Sequence, residues 1–394
     1  MVNKLVDRPK RIVVLGESRS LVNFRGPLIR ALLSQGYHVT VIAGTDDPEV
    51  RRTLVGWGAV YETIPLARAG LNPIADLITV LRLTAFFRRT RPDVFFGYTI
   101  KPVIYGLIAA FLAGTPRRYV MITGLGYAFT EGGETKRYVV RAISSCVYRA
   151  SLRLADRVIF QNVDDQRLFL TRRLVNAGQV VCVPGSGVDL EYYTPTPFPK
   201  GPITFLLIAR LLADKGIREY AKAASIVRVG FPYARFVLLG APDTNPSGLR
   251  LDEVHRWVKE GLLEYKSETR DVRSAISHCH VFVLPSYREG MPRTVLEAMA
   301  MGRPIITTDV PGCRETVAPG LNGFLVTPRN AEALARAMMM FLRDEGLCRK
   351  MGAHSSEIAA HKFESKQIAI ATISAMGLLP PTVQDETPNL EAAR

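Results

Sequence analysis

The stretch Val281–Cys313, VFVLPSYREG MPRTVLEAMA MGRPIITTDV PGC, decides how this chain is read. It opens on the apolar run Val281-Phe282-Val283-Leu284, the length of a buried strand. Pro285 and Ser286 end the run, and Tyr287-Arg288-Glu289-Gly290 reads as a loop. Pro292 sits where the first turn of a helix tolerates a missing N–H. A helix is expected from Arg293 to Met301, with Gly302 just past its end. Pro304-Ile305-Ile306-Thr307-Thr308 starts the next strand. Strand, loop, helix, strand is the repeating unit of a parallel α/β sheet. Two carboxylates, Glu289 and Glu297, lie eight positions apart across the loop-to-helix junction.

That junction falls at the carboxyl end of a strand and beside a helix N-terminus. The partial positive charge there suits a ligand phosphate, and a loop carboxylate accepts hydrogen bonds from hydroxyls. A polyhydroxylated, phosphorylated ligand meets both demands. An isolated Glu pair would sooner be two helix-start acids on a solvated face, but the surrounding pattern outweighs that reading. The EGxP loop, the Glu-x7-Glu spacing, the LEAMA helix, the Gly-x-Pro-Ile strand and the following Pro-Gly resemble the C-terminal signature of the family 4 retaining glycosyltransferases. The resemblance implies the two-domain GT-B fold: two Rossmann-like α/β domains whose parallel sheets face a central cleft, with a C-terminal helix crossing back to the N-terminal domain.

The whole chain agrees with two domains. Its 394 residues exceed the usual single-domain size, and 47% of them are hydrophobic. The five cysteines (Cys146, Cys182, Cys279, Cys313, Cys348) are scattered and lack CxxC spacing, a reduced, cytosolic pattern. The run Ile12-Val13-Val14-Leu15 is too short for a secretory signal and reads as a first strand ending at Gly16. The uncharged, apolar stretch Pro102 to Pro116 has 15 residues, short of the roughly 20 a spanning helix needs. The expectation is a soluble or peripheral protein.

The net charge is +15 and uneven. Residues 1–200 hold 27 Lys+Arg against 15 Asp+Glu, and residues 201–394 hold 24 against 21. An acidic partner for the first half is implied, nucleic acid or anionic lipid. No nucleic-acid motif is present.

Strand and helix signals alternate from Arg11 to Val183, as an open, mostly parallel sheet requires. Pro195, Pro197, Pro199 and Pro202 then suggest a stiff linker. The expected organisation is an acceptor- and membrane-facing domain over 1–195, a linker at 196–202, a nucleotide-sugar-binding domain over 203–364, a returning helix over 365–380, and a disordered tail at 381–394.

The strand Ile203–Ile208 runs into Ala209-Arg210-Leu211-Leu212-Ala213-Asp214-Lys215-Gly216. An Arg fork and a compact Lys charge at one strand mouth can converge on one phosphate ligand. This Arg-x4-Lys-Gly resembles the family's diphosphate-binding pair. The resemblance then assigns roles. Arg210 and Lys215 hold the donor diphosphate and stabilise the charge of the leaving group. Glu289 meets the donor sugar near the reacting carbon. Gly290, Met291 and Pro292 form the adjoining loop, with the N–H groups of Gly290 and Met291 toward sugar or phosphate. Glu297 takes the ribose hydroxyls. The segment Glu264–Arg270, Tyr265 in particular, contacts the base. Gly16 borders the donor from the first half. No DxD motif in suitable surroundings occurs, and Asp46-Asp47 and Asp164-Asp165 look like helix-start acids. No catalytic metal and no cofactor are expected, with a UDP-linked sugar as co-substrate.

For the acceptor, the stretches around Asn23 and Arg25, around Thr123, Gly124 and Tyr127, and Gly185–Asp189 resemble one branch of the family. That branch extends polyprenyl-diphosphate-linked glycans for O-antigen, capsule or protein glycosylation, often with N-acetylgalactosamine. Gly124-Leu125-Gly126 is no dinucleotide fingerprint, because position 129 is Phe. Many family members carry a His near the donor sugar where this chain has Thr123 and Gly124. The helix Leu77–Arg91 offers a membrane surface, with Phe86 and Phe87 in the headgroup region and Arg88, Arg89 and Arg91 toward anionic lipid. Its apolar residues could equally pack on the sheet. A second basic surface is expected on the helix Lys136–Arg153. The function implied is transfer of a hexose or N-acetylhexosamine from a UDP-sugar to an undecaprenyl-type diphosphate glycan at the inner face of the cytoplasmic membrane. Transfer to another acceptor, a non-catalytic nucleotide-sugar scaffold, or an epimerase are the rivals.

Overall fold

The computed structural model describes residues 10–66, 73–124, 146–243, 245 and 247–378. Tyr127, most of the expected helix Lys136–Arg153 and the 381–394 segment lie outside them. The chain forms two compact units, Met1–Ser186 with Lys366–Arg394, and Gly187–Ser365.

The first unit holds a seven-stranded sheet of β1 (Arg11–Gly16), β2 (His38–Ala43), β3 (Val60–Thr63), β4 (Val94–Tyr98), β5 (Arg117–Ile122), β6 (Arg157–Phe160) and β7 (Val180–Cys182), in the order β3-β2-β1-β4-β5-β6-β7. Every described pairing is parallel. The second unit holds a six-stranded parallel sheet of β8 (Thr204–Ile208), β9 (Arg235–Leu239), β10 (Glu264–Lys266), β11 (Val281–Leu284), β12 (Ile305–Thr308) and β13 (Gly323–Val326), in the order β10-β9-β8-β11-β12-β13. Each order reverses beside its first strand, between β1 and β4 and between β8 and β11. That switch point is where ligands sit in open α/β sheets.

The strands read as continuous apolar runs because helices cover both faces. In β1, Ile12 and Val14 enter one core while Val13 and Leu15 enter the other. In β8, Phe205 and Leu207 face one core, and Leu206 and Ile208 the other. The helix Ser365–Ala375 serves the first unit. Ile368, Ala369 and Ile373 join the core that holds Ile12 and Val41, and the Tyr37 hydroxyl donates to the Leu378 carbonyl at 3.1 Å.

Several expectations need correction. The segment Glu17–Phe24 after the first strand, which the sequence reads as a loop leading to Arg25-Gly26-Pro27, instead holds a helix over Ser18–Asn23, because the Glu17 carboxylate accepts from the Ser20 N–H at 3.0 Å and starts it. Strands β3 and β10 are not evident from the sequence; both are short edge strands with mixed polar residues. The proline-rich segment 196–202 is packed onto the second unit instead of bridging freely. Fully buried Arg303 donates to the Thr196 carbonyl at 2.8 Å, the Thr196 hydroxyl at 2.8 Å and the Pro197 carbonyl at 3.1 Å. Proline removes N–H donors but leaves carbonyls, and a guanidinium supplies what they accept. The units part at Ser186–Gly187 instead. Gly187 has φ +70, and a Cβ there would meet the Phe363 carbonyl at 2.8 Å. Finally, Phe86 and Phe87 do not face a membrane. Both are buried in the sheet-facing core, with the Phe87 ring 5.6 Å from that of Phe95. Among the described residues no helix is long and apolar enough to cross a membrane.

Candidate active site

In the second unit, Lys215 and Glu289 meet at the carboxyl ends of β8 and β11. After β8 the chain turns through Ala213–Lys215 to Gly216, whose φ of +70 starts the helix Ile217–Gly230. A Cβ on Gly216 would meet the Pro285 carbonyl at 2.0 Å, so only glycine lets this turn lie against the end of β11. The Tyr287 N–H and Ser286 hydroxyl both donate to the Asp214 carbonyl, at 2.8 and 3.1 Å. These bonds bring Lys215 onto the EGxP loop. The Lys215 ammonium pairs with Glu289 Oε1, which also accepts from the Ser286 hydroxyl at 2.7 Å. The loop is backed by the Pro-Gly that follows β12. The Glu289 N–H donates to the Pro311 carbonyl at 3.1 Å, and Gly312, at φ +79, lies so close that a Cβ would meet the Glu289 carbonyl at 2.4 Å and that of Gly290 at 2.6 Å. Gly216 and Gly312 thus each have a steric reason.

Glu297 sits on the helix Arg293–Ala300 and points elsewhere. Its Oε1 accepts from the Tyr193 hydroxyl at 3.0 Å and from Arg293 Nε at 2.9 Å. The side chain is buried, and burial raises its pKa, opposed by Arg293 and Tyr193. The same burial and the neighbouring carboxylate push the Tyr193 hydroxyl far up. Tyr193 stacks edge-on against Tyr192, with centroids 5.0 Å apart, and the Arg273 guanidinium lies 3.8 Å over the Tyr192 ring. The two acids therefore share no described partner. Tyr193, Arg293 and Arg273 were missed from the sequence, since Tyr192-Tyr193 lies far upstream, although Arg293 at i−4 from Glu297 is a readable pairing signal.

Arg210 leaves the end of β8 with its side chain 52% exposed, and its Nη1 pairs with Asp243 at 2.5 Å. An Arg carries five N–H donors, so this bond leaves capacity for a ligand. Tyr265 lies in strand β10, not in a loop, and its hydroxyl donates to the Gly240 carbonyl at 2.9 Å. A Cβ on Gly240 would meet the Ala209 carbonyl at 1.8 Å, which keeps β9 close to the Arg210 turn. Behind the EGxP loop, the Tyr287 hydroxyl bonds Glu219 at 2.7 Å, and the Arg329 guanidinium lies 4.6 Å over its ring.

In the first unit, the ends of the paired strands β1 and β4 bring together Gly16 and Tyr98, and Thr123 follows the next strand, β5. A Cβ on Gly16 would fall 2.2 Å from the Tyr98 ring, so this glycine admits Tyr98. The Tyr98 hydroxyl shares a 2.8 Å hydrogen bond with Ser20, and burial raises its pKa. Buried Arg25 lies 4.7 Å over the same ring and donates to the Ser186 hydroxyl at 2.9 Å. Asn23 is exposed, and Thr123 and Gly124 are half-buried. Gly16 and Arg25 are thus joined through Tyr98, which the sequence did not single out.

Two family models match the chain. The glycosyl transferase 4-like domain covers residues 24–185, and the domain of glycosyl transferases group 1 covers residues 191–357. One relative, from Campylobacter jejuni, is named N,N'-diacetylbacillosaminyl-diphospho-undecaprenol alpha-1,3-N-acetylgalactosaminyltransferase. It is 28% identical over 360 residues, spanning 88% of this chain and 93% of its own. A second, from Escherichia coli, is a UDP-Gal:alpha-D-GlcNAc-diphosphoundecaprenol alpha-1,3-galactosyltransferase, 25% identical over 72% of this chain and 75% of its own. Among solved structures, Anabaena HepE in complex with UDP and glucose matches with a TM-score of 0.76 at 19% identity, over 94% of this chain and all of its own. The fold, the two domain matches and the convergence of Lys215 on Glu289 agree: the chain is a GT-B glycosyltransferase, with a glycosyl transferase 4-like domain followed by a group 1 domain.

Proposed function

We propose that this glycosyltransferase moves a hexose or N-acetylhexosamine, with N-acetylgalactosamine the first choice, from a UDP-sugar to a saccharide carried on undecaprenyl diphosphate, retaining the anomeric configuration. The observation that carries the reading is the Lys215–Glu289–Ser286 cluster beside the Arg210 turn. It sets two cations at a strand mouth next to a carboxylate. A diphosphate leaving group needs the cations, and the hydroxyls of a sugar need the carboxylate. The names of the Campylobacter jejuni and Escherichia coli relatives support the lipid-linked acceptor and the choice of sugar. The HepE complex supports UDP as the nucleotide.

In this mechanism Arg210 and Lys215 hold the diphosphate, and bonds to Asp243 and Glu289 keep both cations in place before the donor arrives. Glu289 meets the sugar, Gly290 and Met291 present N–H groups, and Glu297 meets the ribose. Tyr265 borders the base. The acceptor hydroxyl attacks from the face the diphosphate leaves, and the departing diphosphate takes its proton. Fixed cations stabilise the leaving group, so the reaction proceeds without a metal cofactor; full activity in EDTA is the expected result. Asn23, Arg25, Thr123, Gly124 and Tyr127 are assigned to the acceptor side. The enzyme works peripherally, at the inner face of the cytoplasmic membrane, where a nucleotide donor and a lipid-anchored acceptor meet.

The test is incubation with a panel of UDP-sugars and polyprenyl-diphosphate-linked saccharides, with mass and NMR analysis of products. An α-linked product from an α-linked donor is expected. A β linkage would overturn retention. UDP binding with no transfer to any acceptor would favour a scaffold.

A further inference from the structure

The helix Pro73–Thr90 is apolar on both faces. Its inner face buries Thr79, Val80, Leu83, Thr84, Phe86 and Phe87. On the opposite face, Ile74, Leu77, Ile78 and Leu81 follow the i, i+3, i+4, i+7 spacing of one stripe, and they are 73%, 59%, 43% and 58% exposed. The outer face of an α/β helix ordinarily carries charges to water. Here the charges are selected by sign. Arg82, Arg88 and Arg89 are exposed, with small Ala85 between. Asp76, the one acid of the helix, turns inward to buried Lys101 at 2.9 Å and to the Tyr105 hydroxyl. The outer face therefore presents four large apolar side chains, then cations, and no carboxylate.

The surface continues past the helix end. Arg88 donates to the Leu112 carbonyl at 3.2 Å, and Phe111 and Leu112 are exposed there. Lys10, Arg88, Arg91, Asp93 and Thr115 line an open cavity of about 840 Å³ at the same end, where the Asp93 carboxylate accepts from the Arg11 N–H at 2.7 Å. Thr115 is buried, and its hydroxyl has no hydrogen-bond partner. A hollow with three cations, one carboxylate and an unpaired hydroxyl lies at the arginine end of the helix.

We infer that this face docks on an anionic lipid bilayer, with Ile74, Leu77, Ile78 and Leu81 at the headgroup–acyl boundary and Arg88, Arg89, Arg91 and Lys10 on lipid phosphates. An amphipathic helix binds a membrane in this way, through an apolar stripe beside cations. Charge selects this occupant. A second copy would bring the same cations and no helix carboxylate to the contact, so a two-fold pairing offers these arginines no counter-charge, whereas lipid phosphates do. The inference rests on the proposed function only in placing the acceptor in the bilayer; the exposed stripe stands without it. It also replaces Phe86 and Phe87 with the residues one helical face away.

The test is flotation of the full chain with vesicles of phosphatidylcholine plus phosphatidylglycerol, and of phosphatidylcholine alone, at low and high salt. Transfer to a short-chain, water-soluble acceptor is measured in parallel. The expected result is binding to the anionic vesicles, weakened by salt. Leu77→Asn with Leu81→Asn should lower that binding at least about tenfold and leave transfer to the soluble acceptor unchanged. Arg88→Gln with Arg89→Gln should lower binding about tenfold. Absence of vesicle binding, or full binding by the Leu77/Leu81 variant, overturns the inference. So does a wild-type dimer that this variant turns into a monomer without changed vesicle binding. Vesicle binding as expected, with no transfer to either acceptor, upholds the docking and overturns the proposed function.

Discussion

Glu289 and Glu297 are one residue type, eight positions apart, yet their surroundings are opposite. Glu289 lies in a loop at a strand mouth, paired with Lys215 and a serine hydroxyl. Glu297 lies in a buried turn of helix, held by Tyr193 and Arg293, with its pKa raised by burial. The first is a carboxylate paired with a cation that a phosphate can claim. The second is a buried carboxylate held by Arg293, four positions before it, and by Tyr193, 104 residues away. Spacing alone makes the two look equivalent; what surrounds each makes them different tools.

The largest effect should come from Glu289. Glu289→Ala is expected to lower turnover about 10²-fold, the scale of losing one key transition-state contact, with little change in donor KM. Because Lys215 touches Glu289, a double-mutant cycle with Lys215→Ala should be non-additive. Full additivity in steady-state kinetics would break the claim that the two act as one cluster.

A smaller and different effect is expected at Glu297. Glu297→Ala should raise donor KM on the order of tenfold, the loss of a hydrogen bond to a charged group, and lower turnover less. Equal losses in turnover for both acids would erase the contrast between them.

Gly312→Ala tests the backing of the Glu289 loop. The new methyl meets two carbonyls at a positive φ, so unfolding stability should fall by about 1–3 kcal/mol in denaturant titration. Gly320 has the same φ of +79 but nothing within 4 Å, and Gly320→Ala should cost less.

The finest test is Tyr193→Phe. Burial raises the pKa of Glu297, and the Tyr193 hydrogen bond lowers it. Removing that bond should move the acid limb of donor binding to higher pH. The sign for stability follows. Folded Glu297 keeps its proton to a higher pH than the ordinary 4.5, so its contribution is fully present below 4.5 and is lost as pH rises through the folded value. Tyr193→Phe should extend that loss to higher pH, read from denaturation at a series of pH values.

Local signals carried much of this protein. The apolar run Val281–Leu284, Pro292, Gly302 and the following strand fall where the structure has them, because each depends on backbone sterics within a few residues. The sequence motifs assign Lys215 and Glu289 separately to the donor, and their direct pairing comes from β8 and β11 lying side by side in the sheet. Other features depend on partners far away in the chain. Arg303, an unremarkable residue in GRPII, turned out to gather the carbonyls of a proline-rich segment that composition alone reads as a linker. Phe86 and Phe87 look as lipid-seeking as Leu77 and Leu81, and hydrophobicity cannot say which face of a helix meets the sheet. Period and composition are properties of the chain by itself, so they determined the α/β class and the two-acid motif. Which apolar face is buried, which acid is paired and which proline segment is held are decided by long-range packing, and only the tertiary structure supplies those neighbours.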